Sequence, residues 1–166
     1  MAKNSQLISI VVPLYNESAN LLSLQAGLQN VYDSLKEYEF ETIYVNDGSR
    51  DNSLEVLRRL AHGDTMIKIV CLSRNFGKEI AITAGLSEAT GDAMITLDAD
   101  GQFPVELIPE FIRRWQAGAK VVVGLRTANQ REGVVKRYGS KLFYSLFNKI
   151  STTPMVPAST DFRLID

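Results

Sequence analysis

The chain has 166 residues, 45% hydrophobic and 22% charged, with a formal net charge of −1. That suffices for one domain with a sizeable core and excludes a disordered or collagen-like chain. The apolar runs fall well short of the ~20 residues of a spanning helix, and no basic stretch followed by an apolar one opens the chain, so neither a membrane-spanning helix nor a signal peptide is expected.

The stretch LISIVVPLY (7–15) is short and β-branched, which predicts a strand. Segment 16–38 carries Leu21, Leu24, Leu28, Val31 and Leu35 at helical spacing, with Asn16 or Ser18 as its cap. ETIYVND (41–47) predicts a second strand, and Asp51 or Asn52 opens a helix over SLEVLRRLA, with His62, the only histidine, at its end. IKIVCL (67–72) predicts a third strand with the single Cys71 as a buried thiol, which suits a cytosolic setting. KEIAITAGLSEA (78–89) predicts the third helix and AMITLD (93–98) the fourth strand. Pro104 suits the first turn of a fourth helix reaching about residue 117, with Trp115 packed on the sheet, and KVVVG (120–124) predicts a fifth strand. The alternation predicts an α/β fold, a mostly parallel central sheet with helices on both faces.

Charge is uneven. Residues 125–150 hold six Lys and Arg (Arg126, Arg131, Lys136, Arg137, Lys141, Lys149) against one acid, Glu132. This predicts an anionic partner or a solvated helix face. Phe143, Leu146, Phe147 and Ile150 recur there at helical spacing. Such a basic, aromatic-rich face suits a membrane interface, an ordinary helix packed on the sheet, or a cover for a spanning region of a longer protein.

In parallel sheets ligands bind beyond the carboxyl ends of the strands. Here those ends are Pro13 to Glu17, Asn46 to Ser49, Ser73 to Lys78, and Asp98 to Gly101. Acids gather at three of them: Glu17, Asp47, Asp98 and Asp100. Carboxylates so close need a cation or donor groups between them, and Mg²⁺ or Mn²⁺ suits an all-oxygen set that is completed by phosphates. On a strand continued through Asp98, Asp98 and Asp100 share a face. One can hold the metal while the other takes a ribose hydroxyl or a second metal-bound ligand. Asp47-Gly48 reads equally as a plain turn. Lys78 and Arg74 are either ordinary surface charges or groups that reach a diphosphate, Lys78 from a helix N-terminus that favours anions.

YNE after the first strand, VNDGSRDNS after the second, SRNFGKEIAITAGL after the third and DADGQFPVELIP after the fourth together resemble the family 2 glycosyltransferases of GT-A fold, over essentially the whole chain. GLRTANQREGVVKRYGSKLFYSLFNKI and the terminal TDFRLID narrow the resemblance to polyprenyl-phosphate glycosyltransferases, of the bactoprenol glucosyltransferase and dolichyl-phosphate mannose synthase kind. The resemblance implies a nucleotide-sugar donor, a divalent metal and inversion at the anomeric carbon. It puts Pro13, Tyr15 and Glu17 around the nucleotide and Asp47 on its base. It puts Asp98 near the ribose and diphosphate, with Asp100 and Asp98 as metal ligands. Asp161, the candidate catalytic residue, falls beside the acceptor, and Arg126 and Arg131 near the lipid phosphate. Residues 1–125 would bind the nucleotide sugar and 126–166 would form an acceptor- and membrane-proximal part of one catalytic domain. Members of this subgroup usually continue into membrane-spanning helices, so a longer protein at the cytoplasmic face of a membrane is expected, with this chain itself soluble.

The expected reaction moves a hexose, glucose from UDP-glucose, to a polyprenyl phosphate. GDP-mannose with a dolichyl-type acceptor, a saccharide acceptor, and a nucleotide-sugar-binding module without turnover are the alternatives. A homo-oligomer is left open, and no nucleic-acid partner is expected. A receiver-like or flavodoxin-like domain is disfavoured by the segments after the fifth strand. A nucleotidyltransferase is disfavoured because no glycine-rich basic loop follows the first strand.

Overall fold

In a computed structural model describing residues 5–125 and 159–166, the elements are β1 (Gln6–Leu14), α1 (Leu21–Ser34), β2 (Tyr38–Asn46), α2 (Ser53–Ala61), β3 (Ile67–Cys71), α3 (Lys78–Glu88), β4 (Ala93–Thr96), a 3-10 turn (Val105–Leu107), α4 (Ile108–Gln116), β5 (Val121–Leu125) and β6 (Ser159–Ile165). The chain divides into two compact units, Met1–Val122 with Asp161–Asp166, and Val123–Thr160. The core and the site described below belong to the first. Arg126, Arg131 and the amphipathic pattern through Ile150 lie outside the described residues.

One six-stranded sheet has the order β3-β2-β1-β4-β6-β5. β1 pairs in parallel with β2 along its whole length, and β2 with β3. β1 and β4 pair only from Ile8↔Ala93 to Val11↔Thr96. The expected α/β architecture is therefore present. The added element is β6, antiparallel to β4, which makes a strand of the DFRLI segment.

Side-chain alternation along β1 builds two unequal layers. Ile8, Ile10, Val12 and Leu14 join the main core, with Leu21, Leu24 and Leu28 of α1, Leu57 of α2, and Ile108, Phe111 and Trp115 of α4. Phe162, fully buried, stacks on Phe111 with ring centroids 4.5 Å apart. On the other face a thin layer of Val11, Ile43 and Val45 meets Ala81 of α3. α3 lies close to the sheet because Gly85 has no side chain. A Cβ there would press on Val11 and stand 2.8 Å from Val45 Cγ2.

That same face carries a buried charge. Glu41, 3% exposed, accepts hydrogen bonds from the Ser9 hydroxyl (2.6 Å) and from the Thr90 amide (2.7 Å) and hydroxyl (3.0 Å). Lys68 Nζ lies 2.6 Å from its other oxygen. Burial opposes ionisation, but Lys68, Ser9 and Thr90 outweigh it and hold the Glu41 pKa at about 2.

Local expectations fail where tertiary contacts compete. Asn16 and Ser18 do not cap α1: its N-cap is Asn20 without a side-chain bond, while Asn16 takes a left-handed φ of 58°. β4 ends at Thr96, before Asp98. Pro104 precedes a 3-10 turn, and the proline in the first turn of α4 is Pro109. Cys71 is exposed, not buried, because it ends the edge strand β3, which has no outer neighbour to cover it. His62 does stand at the end of α2 and is exposed. Trp115 is buried, its indole N–H donating to Asp166 at 2.5 Å. Among the described residues no helix is long and apolar enough to cross a membrane.

Two outcomes follow for stability. Because the folded pKa of Glu41 is depressed, its contribution is complete above about pH 4.5 and is lost as pH falls toward 2. The difference in urea midpoint between wild type and Glu41→Gln should therefore shrink across that interval. Gly85→Ala should destabilise by about 1–3 kcal/mol through overpacking, measured by urea unfolding at neutral pH.

Candidate active site

The strand order reverses at β1: the chain builds outward through β2 and β3, then returns to place β4 on β1's other side. Ligands of open parallel sheets lodge in the crevice at such a point. The β1–β4 ladder stops early, its last bond running from the Leu97 amide to the Val11 carbonyl at 3.0 Å. Pro13 then faces the β4 side, where no ladder bond is required of it, so a proline is tolerated in this inner strand. A cavity of about 260 Å³ opens there, lined by Pro13, Tyr15, Glu17, Asp47, Gly77, Lys78, Asp98 and Asp100 among others.

The loop after β1 is held by the loop after β2. Ser49 Oγ accepts the Asn16 amide (2.9 Å), Ser53 Oγ the Glu17 amide (3.0 Å) and Asp51 the Ser18 amide (3.1 Å). In return Asn16 Oδ1 accepts the Arg50 amide at 2.8 Å. Asp51 also takes the Ser53 amide and hydroxyl. Burial works against the Asp51 charge, but the Ser53 and Ser18 donors prevail and bring its pKa to about 2. Tyr15 and Glu17 are thus presented by a loop with few free backbone groups. Glu17 accepts the Asn20 side-chain amide at 2.6 Å.

Asp47, 3% exposed, does more than form a turn. Its two oxygens accept the Phe76 and Gly77 amides, each at 2.8 Å, which sets where α3 begins. The neighbouring Gly48 has φ +67°, and a Cβ on it would meet Arg74 Cα at 2.7 Å and Asn75 N at 2.8 Å. Arg74 stacks over the Phe76 ring at 4.5 Å and is not among the cavity-lining residues.

Lys78, the first residue of α3, extends its ammonium between two carboxylates. It lies 2.7 and 2.8 Å from the oxygens of Asp98 and 2.6 Å from Asp161. Arg163 takes the other Asp161 oxygen at 2.7 Å. Asp161 and Arg163 share one face of β6 by alternation, and the Thr96 hydroxyl donates to the Asp161 carbonyl. Burial lowers the Lys78 pKa, but Asp161 and Asp98 outweigh it and raise it above the ordinary value. Lys78 first, against burial, and then Arg163 hold the Asp161 carboxyl below its ordinary value.

Of the expected site residues that the structure describes, Pro13, Tyr15, Glu17, Asp47, Lys78, Asp98 and Asp100 line this cavity and Asp161 joins through Lys78, while Arg74 does not line it. The acids are not, however, collected around one point. Among the described residues no three acidic, histidine or cysteine side chains are placed to hold a metal ion. Asp98 is engaged by Lys78, and Asp100 accepts the Gln102 amide at 2.9 Å. Asp98 and Asp100 still offer hard oxygen ligands beside an open cavity. That fits a cation of the Mg²⁺ type, which takes one or two carboxylates and completes its shell with water and phosphate oxygens.

The profile of glycosyl transferase family 2 matches residues 9–165. The chain belongs to this family. It is 45% identical over 159 residues to an uncharacterized glycosyltransferase of Synechocystis sp., covering 96% of this chain and 50% of that protein. It is 41% identical over 158 residues to a bactoprenol glucosyl transferase of Shigella phage SfX, covering 95% and 52%. It thus spans about half the length of these curated relatives. Two solved structures share the fold. Mannosyl-3-phosphoglycerate synthase of Rubrobacter xylanophilus has a TM-score of 0.72 at 18% identity, covering 97% of this chain and 53% of the other. A mannosyltransferase of Pyrobaculum calidifontis, in complex with GDP-Man and Mn²⁺, has 0.61 at 20%, covering 98% and 45%.

For this family 2 chain the sequence reading missed the residues that hold the site. Asn16, Ser49, Asp51 and Ser53 brace the first loop, and the run of Asn, Asp and Ser after β2 was their signal. Arg163 was legible as the same-face neighbour of Asp161 in an alternating segment. Gly48→Ala should displace the 74–77 segment and with it the start of α3. Hydrogen exchange at the Phe76 and Gly77 amides is expected to speed up at least about tenfold, an effect of about 1.4 kcal/mol, while far-UV circular dichroism stays native.

Proposed function

We propose that the chain is the catalytic domain of an inverting glycosyltransferase that moves a hexose, glucose from UDP-glucose, onto a polyprenyl phosphate, with residues 1–125 binding the donor. The observation that carries this reading is the opening of Lys78, Asp98 and Asp100 onto one cavity at the switch point of the sheet. The likeness to a bactoprenol glucosyl transferase along 95% of the chain supports the acceptor class.

In this reading Pro13, Tyr15 and Glu17 border the nucleotide, and Asp47 meets its base while keeping the Phe76 and Gly77 amides. Asp100 and Asp98 would hold Mg²⁺ or Mn²⁺, which when bound supplies Lewis-acid stabilisation to the departing diphosphate. An oxygen of the acceptor phosphate attacks the anomeric carbon opposite the diphosphate. The new carbon–oxygen bond forms as the old one breaks, the electron pair leaves with the nucleoside diphosphate, and the configuration inverts. A phosphate monoester has a second pKa of about 6, so it is an adequate nucleophile at neutral pH without a base. Asp161, kept ionised by Lys78 and Arg163, is a poor proton acceptor and suits orientation of the acceptor. Arg126 and Arg131 belong to the basic segment that would meet the lipid phosphate at a membrane surface.

The second reading is a GDP-mannose donor, favoured by the GDP-Man and Mn²⁺ held by the P. calidifontis fold relative. Calorimetry with UDP, GDP and their sugar conjugates, with and without Mn²⁺, separates the two. UDP should bind in a Mn²⁺-dependent manner, and Asp100→Ala should remove at least about 90% of the affinity, a loss of about 1.4 kcal/mol. Preference for GDP would transfer the assignment to mannose. Binding indifferent to both Mn²⁺ and Asp100 would overturn the metal role.

A further inference from the structure

Among the described residues, the Lys78 ammonium links the carboxylate assigned to the donor with the carboxylate assigned to the acceptor. Its three donors are divided between Asp98, at 2.7 and 2.8 Å, and Asp161, at 2.6 Å. The side chains of Lys78, Asp98 and Asp161 are 39%, 19% and 32% exposed, so the bridge is reachable from the cavity and can be exchanged. Two more features bear on what happens when it is. The start of α3 is fixed by Asp47, so Lys78 can swing its head group but not its backbone. Asp161 is tied at its carbonyl by Thr96 and retains Arg163 as a second partner, so it loses a partner without losing its place.

A diphosphate brought to Asp98 offers an ammonium more negative charge, at closer quarters, than a single carboxylate does. We propose that Lys78 is a positioning residue that couples the two substrate sites: it exchanges Asp161 for the donor diphosphate, so donor binding frees one Asp161 oxygen to face the acceptor. Without a donor, that oxygen stays paired and the acceptor subsite is incomplete. The device would order the reaction, donor first. It would also limit the binding of a lipid phosphate when no sugar is ready for transfer. Coupling of this kind is reciprocal, so a bound acceptor would in turn tighten the donor.

This inference rests on the donor reading above, and the test keeps the two apart. The probe is UDP with Mg²⁺, added to protein carrying ¹³C in its aspartate carboxyl carbons, with the signals of Asp98 and Asp161 assigned through Asp98→Asn and Asp161→Asn. In wild type both signals should shift on saturation. In Lys78→Met the Asp98 signal should still respond and the Asp161 response should vanish. Lys78→Arg, which keeps the charge and the donors, should restore it. A purely structural role for Lys78 would leave the Asp161 response in place. An Asp161 signal that stays still in wild type while Asp98 moves, or one that still moves in Lys78→Met, overturns the coupling alone. Silence of Asp98 itself toward both UDP and GDP in folded wild type overturns the donor reading and the coupling with it.

Discussion

Two hydrogen bonds from the Phe76 and Gly77 amides to the Asp47 carboxylate determine where α3 starts. A buried carboxylate is expensive unless its oxygens are matched by donors, and here the donors come from the backbone of another loop. The bond thus turns a solvation requirement at the end of β2 into a positional constraint on residues some thirty places later. Lys78 follows Gly77 directly, and from that start point its ammonium reaches both Asp98 and Asp161. Gly48 belongs to the same constraint, because the 74–77 segment passes through the space that any side chain there would fill.

The thin face of the sheet makes this arrangement possible. α3 packs its Ala81 on the β-branched residues Val11, Ile43 and Val45 of the sheet, with Gly85 allowing close approach. A helix so near the sheet keeps its N-terminus beside the strand ends instead of standing off from them. The toll is a layer with little apolar area to bury. Part of the cohesion on that side comes from the Glu41 cluster, which ties β1, β2, β3 and the turn after α3 through one carboxylate. The opposite face, packed by α1, α2, α4 and Phe162, carries the larger apolar core. Stability and site geometry are therefore divided between the two faces, with α3 the element in which they meet.

The carboxylates at the strand ends are not gathered into a ready metal cage. Lys78 lies against Asp98, Arg163 against Asp161, and Asp100 caps its own loop. Each charge thus has a partner of modest strength and partial exposure. Such partners hold the acids in place, and a denser charge can displace them, which would suit the proposed admission and later release of a diphosphate.

Much of this was legible in the chain itself. The period of apolar residues separates strands from helices, because burial on one face imposes a spacing of two or of about three and a half. The alternation of those elements implies a parallel sheet whose strand ends share an edge, and so Pro13, Tyr15, Glu17, Asp47, Lys78, Asp98 and Asp100 were candidates together. Which partner each side chain takes was not legible. Asn16 leaves its cap role for Arg50, Cys71 is exposed because β3 is an edge, β4 stops at Thr96, and DFRLI becomes an antiparallel strand that delivers Asp161 to Lys78. Local pattern reports how a residue suits the elements on either side of it in sequence. Strand order, edges and ion pairs between residues as far apart as Lys78 and Asp161 depend on which elements meet in space, and only the tertiary structure decides that.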